Sequence, residues 1–233
     1  MSAIVLFMVG VAVIAGWWLS QQRLTAKPWL EEGVIGEMPS ERSSLLRAKL
    51  GLGVFLAVIG SLFALLISAY LMRMDQTDWR TVPMPTLLWF NTGVLILSSG
   101  ALHLAQVAAR DDDRERVVIG LLAGGVAAIV FLIGQLLAWV QLRNSGYFLA
   151  GNPANSFFYL VTALHGVHLL GGLVALARTC AKAVGEVAMP RLRLSVELCA
   201  VYWHFLLFVW LILLGLLTGS ANDLIRICRQ VLS

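Results

Sequence analysis

Charged side chains are scarce in this sequence. Asp, Glu, Lys and Arg make up only 13% of the 233 residues, about half of the roughly 25% that is usual in a soluble domain. Hydrophobic residues reach 59%, and the mean hydropathy is +0.84. This composition excludes an ordinary soluble globular domain and predicts an integral membrane protein.

Charge is also missing from the apolar runs, and this absence excludes several transport classes. Pumps, exchangers and ion channels usually carry Asp, Glu, Lys or Arg inside their spans, whereas the apolar runs here contain none. Three cysteines, Cys180, Cys199 and Cys228, form no CxxC or CxxCH pattern. The sequence therefore predicts no disulfide framework, zinc site or covalently attached haem.

Long apolar runs fill most of the chain. A run of about 20 residues crosses a hydrocarbon core of roughly 30 Å, because a helix rises 1.5 Å per residue. The fold class predicted is an all-α bundle of six transmembrane helices, at residues 1–20, 50–72, 86–109, 117–142, 156–177 and 198–221. Short connections predict antiparallel neighbours.

The loops predict a domain organisation and an orientation. Residues 1–22 form an uncleaved N-terminal anchor, 23–48 a linker, 49–222 a five-helix bundle and 223–233 a tail. The linker side carries 12 of the 17 Lys and Arg residues, which predicts a cytoplasmic linker and both termini outside. The net charge of +4 is explained by these loops, so no nucleic-acid partner is predicted.

Four histidines are the ionisable residues within the spans: His103, His165, His168 and His204. Bundle histidines can ligate haem, so one hypothesis is a stand-alone haem b cytochrome that handles quinol. His165 and His168 lie one turn apart on one helix, at a different depth from the other two. Neutral imidazoles that hydrogen-bond to neighbouring helices are therefore the favoured interpretation.

The last span concentrates further candidate residues. Glu197 is expected in its first turn, where the helix dipole favours an anion. Helical spacing places Glu197 and His204 on one face with residues 201, 208 and 211, whereas Trp203 and Trp210 share another face.

Small and polar residues predict where the helices pack. Small residues spaced four apart allow close helix contact in lipid; they occur at Gly120, Gly124 and Ala128, at Gly60, Ala64 and Ser68, and at Gly171 and Ala175. A polar stripe on the span at 86–109 is expected to bond neighbouring helices; it comprises Asn91, Thr92, Ser98, Ser99, His103 and Gln106.

Two long segments resemble a known family. FFYLVTALHGVHLLGG (157–172) and VELCAVYWHFLLFVWL (196–211) resemble the last two helices of subunit III of haem-copper oxidases, the cytochrome c oxidase type in particular. LLWFNTGVLILSSGALHLA (87–105), FLIGQLLAW (131–139) and the ISAY ending at residue 70 resemble the three helices before them. The resemblance covers about residues 49–219 in the same order.

The resemblance implies a non-catalytic subunit of an aerobic respiratory complex in a bacterial-type inner membrane. Its direct partner would be subunit I, which carries haem and copper, with subunit II in the same complex. The chain itself would hold phospholipid but no redox metal, and would support assembly, stability and sustained proton uptake. Helix-packing and subunit-interface roles are expected for His103, His165, His168, Glu197, Trp203, His204 and Trp210. Arg191 and Arg193 are expected at a lipid headgroup.

The sequence also departs from the family pattern. Ile59, Ala138 and Leu207 stand where the family has carboxylates, so roles that rest on those acids are not carried over. This loss favours an alternative within the resemblance, a subunit III-like accessory protein of a nitric oxide reductase. The family also occurs with seven helices, two of which border a lipid-filled cleft, whereas a single helix is predicted here before the five.

Overall fold

Five long helices form the part of the chain that a computed structural model describes, residues 41–74, 76–80, 82–185 and 187–218. Each helix is long and apolar enough to cross a membrane, and no strand occurs among these residues. The helices are α1 (Glu41–Arg73), α2 (Leu87–Arg110), α3 (Arg114–Asn144), α4 (Pro153–Val184) and α5 (Met189–Leu217). The predicted N-terminal span and the C-terminal tail lie outside the described residues.

Several helices extend beyond the predicted spans. Helix α1 begins at Glu41, inside the predicted linker, and α5 begins at Met189, not at residue 198. Hydropathy marks the part of a helix that crosses hydrocarbon, whereas the helix itself continues through the headgroup region. Pro190 in the first turn of α5 is a start signal because its missing N–H needs no partner there.

The expected position of Glu197 is therefore wrong. Glu197 lies in the third turn of α5, since that helix begins at Met189. The helix dipole acts mainly within the first turn, so it does not account for the carboxylate. Instead, the Lys49 ammonium of α1 lies 2.7 Å from Glu197 Oε1, and this ion pair joins α1 to α5.

Glycines bring the helices into close contact. A Cβ atom on Gly120 of α3 would lie 2.8 Å from Ala105 Cβ and 2.9 Å from the Ala101 carbonyl of α2, so only glycine fits. The predicted small-residue contact of α3 is thus confirmed. On α4 the close contact falls at Gly172, against Trp203, whereas the predicted Gly171 has no neighbour within 4 Å among the described residues.

Two buried tryptophans bond α5 to α2. The indole of Trp203 donates to Ser98 Oγ at 2.9 Å, and the indole of Trp210 donates to Thr92 Oγ1 at 2.9 Å. Ser98 in turn donates to the Gly124 carbonyl of α3 at 2.7 Å. Two members of the predicted polar stripe, Thr92 and Ser98, therefore bond neighbouring helices. The buried amide of a third, Asn91, has no hydrogen-bond partner among the described residues.

Helix α1 attaches to this group of four helices mainly through aromatic rings. Its described contacts run from Lys49 to Tyr70. They are the Lys49–Glu197 ion pair and three ring contacts with centroids 5.5–6.0 Å apart: Phe55–Tyr202, Phe63–His168 and Tyr70–Phe157. Ile59 and Phe63 are its buried apolar side chains. Much of the rest of α1 is exposed, including Val54, Val58 and Leu65.

Candidate functional site

The structure brings together two of the four histidines that were singled out as candidate site residues. The rings of His103 on α2 and His204 on α5 lie 5.8 Å apart between centroids, with planes inclined at 59°. Both side chains are exposed on the outside of the bundle. His204 Nδ1 donates to the Ala200 carbonyl of its own helix at 2.6 Å, so this nitrogen does not make the expected bond to a neighbouring helix.

The surface around this pair is here called the histidine face. It consists of exposed residues on one side of α2 and α5, namely Gly93, Gly100, His103, Val201, His204 and Phe208. A Cβ atom on Gly93 or Gly100 would meet nothing described within 4 Å, so the backbone of α2 is open there. The residues of α5 that were predicted to share a face with His204 are exposed at 201, 208 and 211, and Glu197 is half-buried.

His165 lies in the core and joins α4 to α5. Its Nε2 donates to the Leu206 carbonyl at 3.2 Å, and its ring contacts Phe131 and Trp210 at 5.7 and 5.0 Å between centroids. The side chain is fully buried, so the packed rings leave no space for a haem beside it. The favoured interpretation of a bonded core imidazole fits this position.

His168 lies at the contact with α1. Its Nδ1 donates to the Leu164 carbonyl at 2.8 Å, and its ring lies 5.5 Å from that of Phe63. The His168 carbonyl accepts a hydrogen bond from the Tyr202 hydroxyl at 2.8 Å. This residue therefore connects three helices within the chain.

Arg193 and Arg114 hold one end of the bundle together. This end, here called the basic end, is where the connections 111–113 and 185–188 lie. Arg193 of α5 donates to the carbonyls of Ala109 and Arg110, at 2.7 and 2.8 Å, and pairs with Asp112 at 2.8 Å. It thus binds the end of α2. Arg191 is exposed and its side chain bonds no residue that the structure describes.

Arg114 makes a similar contact at the other connection, and the sequence did not predict it. From the first turn of α3 it donates to the Ala183 carbonyl at 3.0 Å and to the Val187 carbonyl, where α4 turns into α5. Both connections at the basic end are therefore held by an arginine from another helix. An arginine in a positive loop gives no sign in the sequence that it binds particular carbonyls.

The three positions at which the family resemblance implies carboxylates hold apolar side chains here. Ile59 and Ala138 are buried, and Leu207 is partly buried and packs against the core. An aliphatic side chain needs no hydrogen-bond partner in such a place, whereas a lone carboxylate would. In the described part of the chain, no three His, Cys, Asp or Glu side chains lie close enough to hold a metal ion.

Comparison with known proteins agrees with this geometry. Residues 49–217 match the family described as Cytochrome c oxidase subunit III. The chain belongs to that family. It is 30% identical over 174 residues to "Cytochrome c oxidase subunit 3" of Thermostichus vulcanus, covering 72% of this chain and 85% of the relative.

Two further relatives carry the same kind of name. "Cytochrome c oxidase subunit 3" of Synechocystis sp. is 30% identical over 170 residues, 70% of this chain and 71% of the relative. "Probable cytochrome c oxidase subunit 3" of Nocardia farcinica is 28% identical over 158 residues, 64% of this chain and 76% of the relative. The chain thus has the role of a haem-copper oxidase subunit III, and it is a multi-pass membrane protein that assembles with other oxidase subunits.

Proposed function

We propose that this subunit docks directly on subunit I, the large oxidase subunit that carries haem and copper, with subunit II in the same complex. In this role it supports assembly, stability and sustained proton uptake of that subunit, and holds no redox centre itself. The observation that carries the proposal is the imidazole pair His103 and His204, exposed together on the outside of the bundle.

The depth of this pair supports a protein partner over lipid. His103 lies seven residues before Arg110 at the end of α2, roughly 10 Å along the helix. Lipid at that depth offers imidazole nitrogens no hydrogen-bond partner, and an unmade bond costs about 1–3 kcal/mol. With its proton on Nδ1, a neutral His204 needs a donor at Nε2. A transmembrane helix that presents a hydroxyl or amide group, which can both donate and accept, would satisfy both rings.

The open backbone of the histidine face supports the same proposal. Gly93 and Gly100 lie on the same side of α2 as His103, by their spacing of seven and three residues. Glycines on a lipid-facing surface allow a second helix to approach closely, which in a membrane supplies packing and hydrogen bonding. Phe208 and Val201 provide apolar contacts beside the two rings.

A double variant tests this proposal. His103→Leu with His204→Leu removes two interhelical hydrogen bonds, each worth about 0.6–1.7 kcal/mol in membranes. Retention of subunit I during purification in mild detergent should therefore fall about tenfold or more. His168→Leu is the matched control, because that histidine contacts α1 and not the histidine face, so its retention should match wild type. Equal retention by the double variant, or loss of haem from a complex that stays intact, contradicts the proposal.

We also propose that the basic end lies in the cytoplasm of a bacterial-type cell and binds phospholipid headgroups there. Support comes from the excess of Lys and Arg at this end and from the exposed guanidinium of Arg191, which bonds no residue that the structure describes. The donors of Arg193 are engaged with α2, so Arg191 has the larger role in this proposal.

The orientation is tested by labelling in a cysteine-free background. An impermeant maleimide should label Gln76→Cys but not Asp112→Cys from outside. The reverse pattern would contradict a cytoplasmic basic end.

A further inference from the structure

A groove lies between the end of α3 and the start of α4, at the end of the bundle opposite the basic end. Its volume is about 740 Å³, within the range of roughly 300–1,000 Å³ that is usual for small-molecule sites. Most of its wall is apolar, and one charged residue lies at its rim; the lining includes Leu136, Trp139, Val140, Leu160, Ala163 and Arg143. We call it the α3–α4 groove.

The other polar groups of the groove already have partners within the protein. The Tyr159 hydroxyl donates to the Tyr147 carbonyl at 3.0 Å, and Ser156 donates to the Leu149 carbonyl at 2.6 Å. The Trp139 indole donates to Thr162 Oγ1 at 3.1 Å. The first two bonds hold the 145–152 connection against α4, and the third joins α3 to α4. Together they leave an apolar surface for the body of a ligand.

Arg143 is the exception. It lies in the last turn of α3 and is exposed. Its guanidinium forms no hydrogen bond or ion pair with any residue that the structure describes. A guanidinium at the edge of a membrane span sits at headgroup depth, where its forked donors suit the oxygens of a phosphate. The groove therefore combines an apolar channel with one uncommitted anion-binding group.

We propose that the α3–α4 groove binds one phospholipid, with an acyl chain along the apolar wall and the phosphate on Arg143. Leu136 and Arg143 are seven residues apart on α3, so the wall extends roughly 10 Å from the charge toward the membrane interior. Leu136, Val140 and Leu160 are exposed, so the groove opens sideways, where a lipid can enter. A protein helix in the same place would have to bring a carboxylate or unpaired carbonyl oxygens to Arg143.

This site goes beyond the proposed docking function, because it lies on other helices than the histidine face and at the other end from Arg191. The test uses the full chain, purified in mild detergent with its partners. The complex is titrated with phosphatidylglycerol, and native mass spectrometry counts the lipids that each complex retains. The same spectra report whether subunit I is still bound.

Two variants are compared with a matched control. Arg143→Ala removes the phosphate partner, and Ala163→Trp fills the apolar wall; each should lower retention of one lipid about tenfold while subunit I stays bound. Arg80→Ala removes another exposed arginine at the same end that does not line the groove, so its retention should match wild type.

Unchanged lipid retention in both variants would overturn the proposal. Loss of a protein subunit from Ala163→Trp, with lipid retention unchanged, would also overturn it and identify the groove as a protein contact. Loss of lipid without loss of subunit I supports it. Because subunit I is measured in every sample, failure of this proposal remains distinct from failure of docking through the histidine face.

Discussion

The contacts that hold helices α2–α5 to one another differ in kind from the contacts that attach α1 to them. Within the group, glycines let backbones touch and buried indoles bond to hydroxyls. In the apolar 18-residue stretch that could cross the membrane, only 11% of α1 is buried, against 33–56% in the other helices. Because apolar burial gains little free energy in lipid, helices there are held mainly by close packing and hydrogen bonds. The four-helix group has both, so it should be the rigid part, and α1 should separate first.

The largest effect should come from closing the gap between α2 and α3. In Gly120→Leu the new side chain would meet the Ala101 carbonyl, a backbone atom that cannot move aside. We expect a loss of about 3 kcal/mol or more, at the upper end of overpacking effects, measured as thermal unfolding in detergent. Gly171→Leu is the matched control, since nothing described lies within 4 Å of that position. Equal melting temperatures of the two variants would contradict the account of a close-packed group.

A moderate effect should follow from breaking an indole bond inside the same group. Thr92→Val leaves the buried Trp210 N–H without its acceptor, which should cost about 1–3 kcal/mol of unfolding free energy. Combining it with Trp210→Phe in a double-mutant cycle should give a coupling energy of roughly 0.6–1.7 kcal/mol. Ser99→Ala serves as the control, because Ser99 bonds neither indole. A coupling energy near zero would mean that the bond does not hold α5 to α2.

The smallest effect should come from the ion pair that joins α1 to α5. Lys49 and Glu197 are 50% and 38% exposed, and exposed pairs contribute at most about 1 kcal/mol. Glu197→Gln should therefore increase proteolysis of α1 slightly while the melting of the four-helix group stays unchanged. The swapped pair Lys49→Glu with Glu197→Lys should restore resistance to proteolysis. A cooperative loss of the whole fold in Glu197→Gln would remove the distinction between α1 and the group.

The sequence was sufficient for the spans and for part of the packing. Predicted residues 86–109 and observed Leu87–Arg110 differ by one residue at each end, because hydropathy follows directly from the need to cross hydrocarbon. Trp203 and Trp210 were placed on one face, and both point to the polar stripe of α2. Helical periodicity determines which residues share a face, but not which helix that face meets.

The remaining errors and omissions concern contacts between helices and the start of one helix. His103 and His204 were predicted at similar depth, yet their contact depends on how α2 and α5 are rotated. The groove beside Arg143 forms only where two helices and a connection leave a gap. Glu197 was misplaced because the start of α5 was set by hydropathy and not by Pro190. The histidine contact and the groove depend on the arrangement of neighbouring helices, which no single helix encodes, whereas the start of α5 is marked by Pro190 in the sequence itself.

The most direct test of the central claim is to purify this chain by an affinity tag in mild detergent and measure what comes with it. Visible spectra and metal analysis are taken before and after the partners are stripped away. A large subunit with haem and copper should co-purify, and the stripped chain should be colourless. Haem and non-haem iron without copper would indicate a nitric oxide reductase partner instead. Haem retained by the stripped chain would contradict the account.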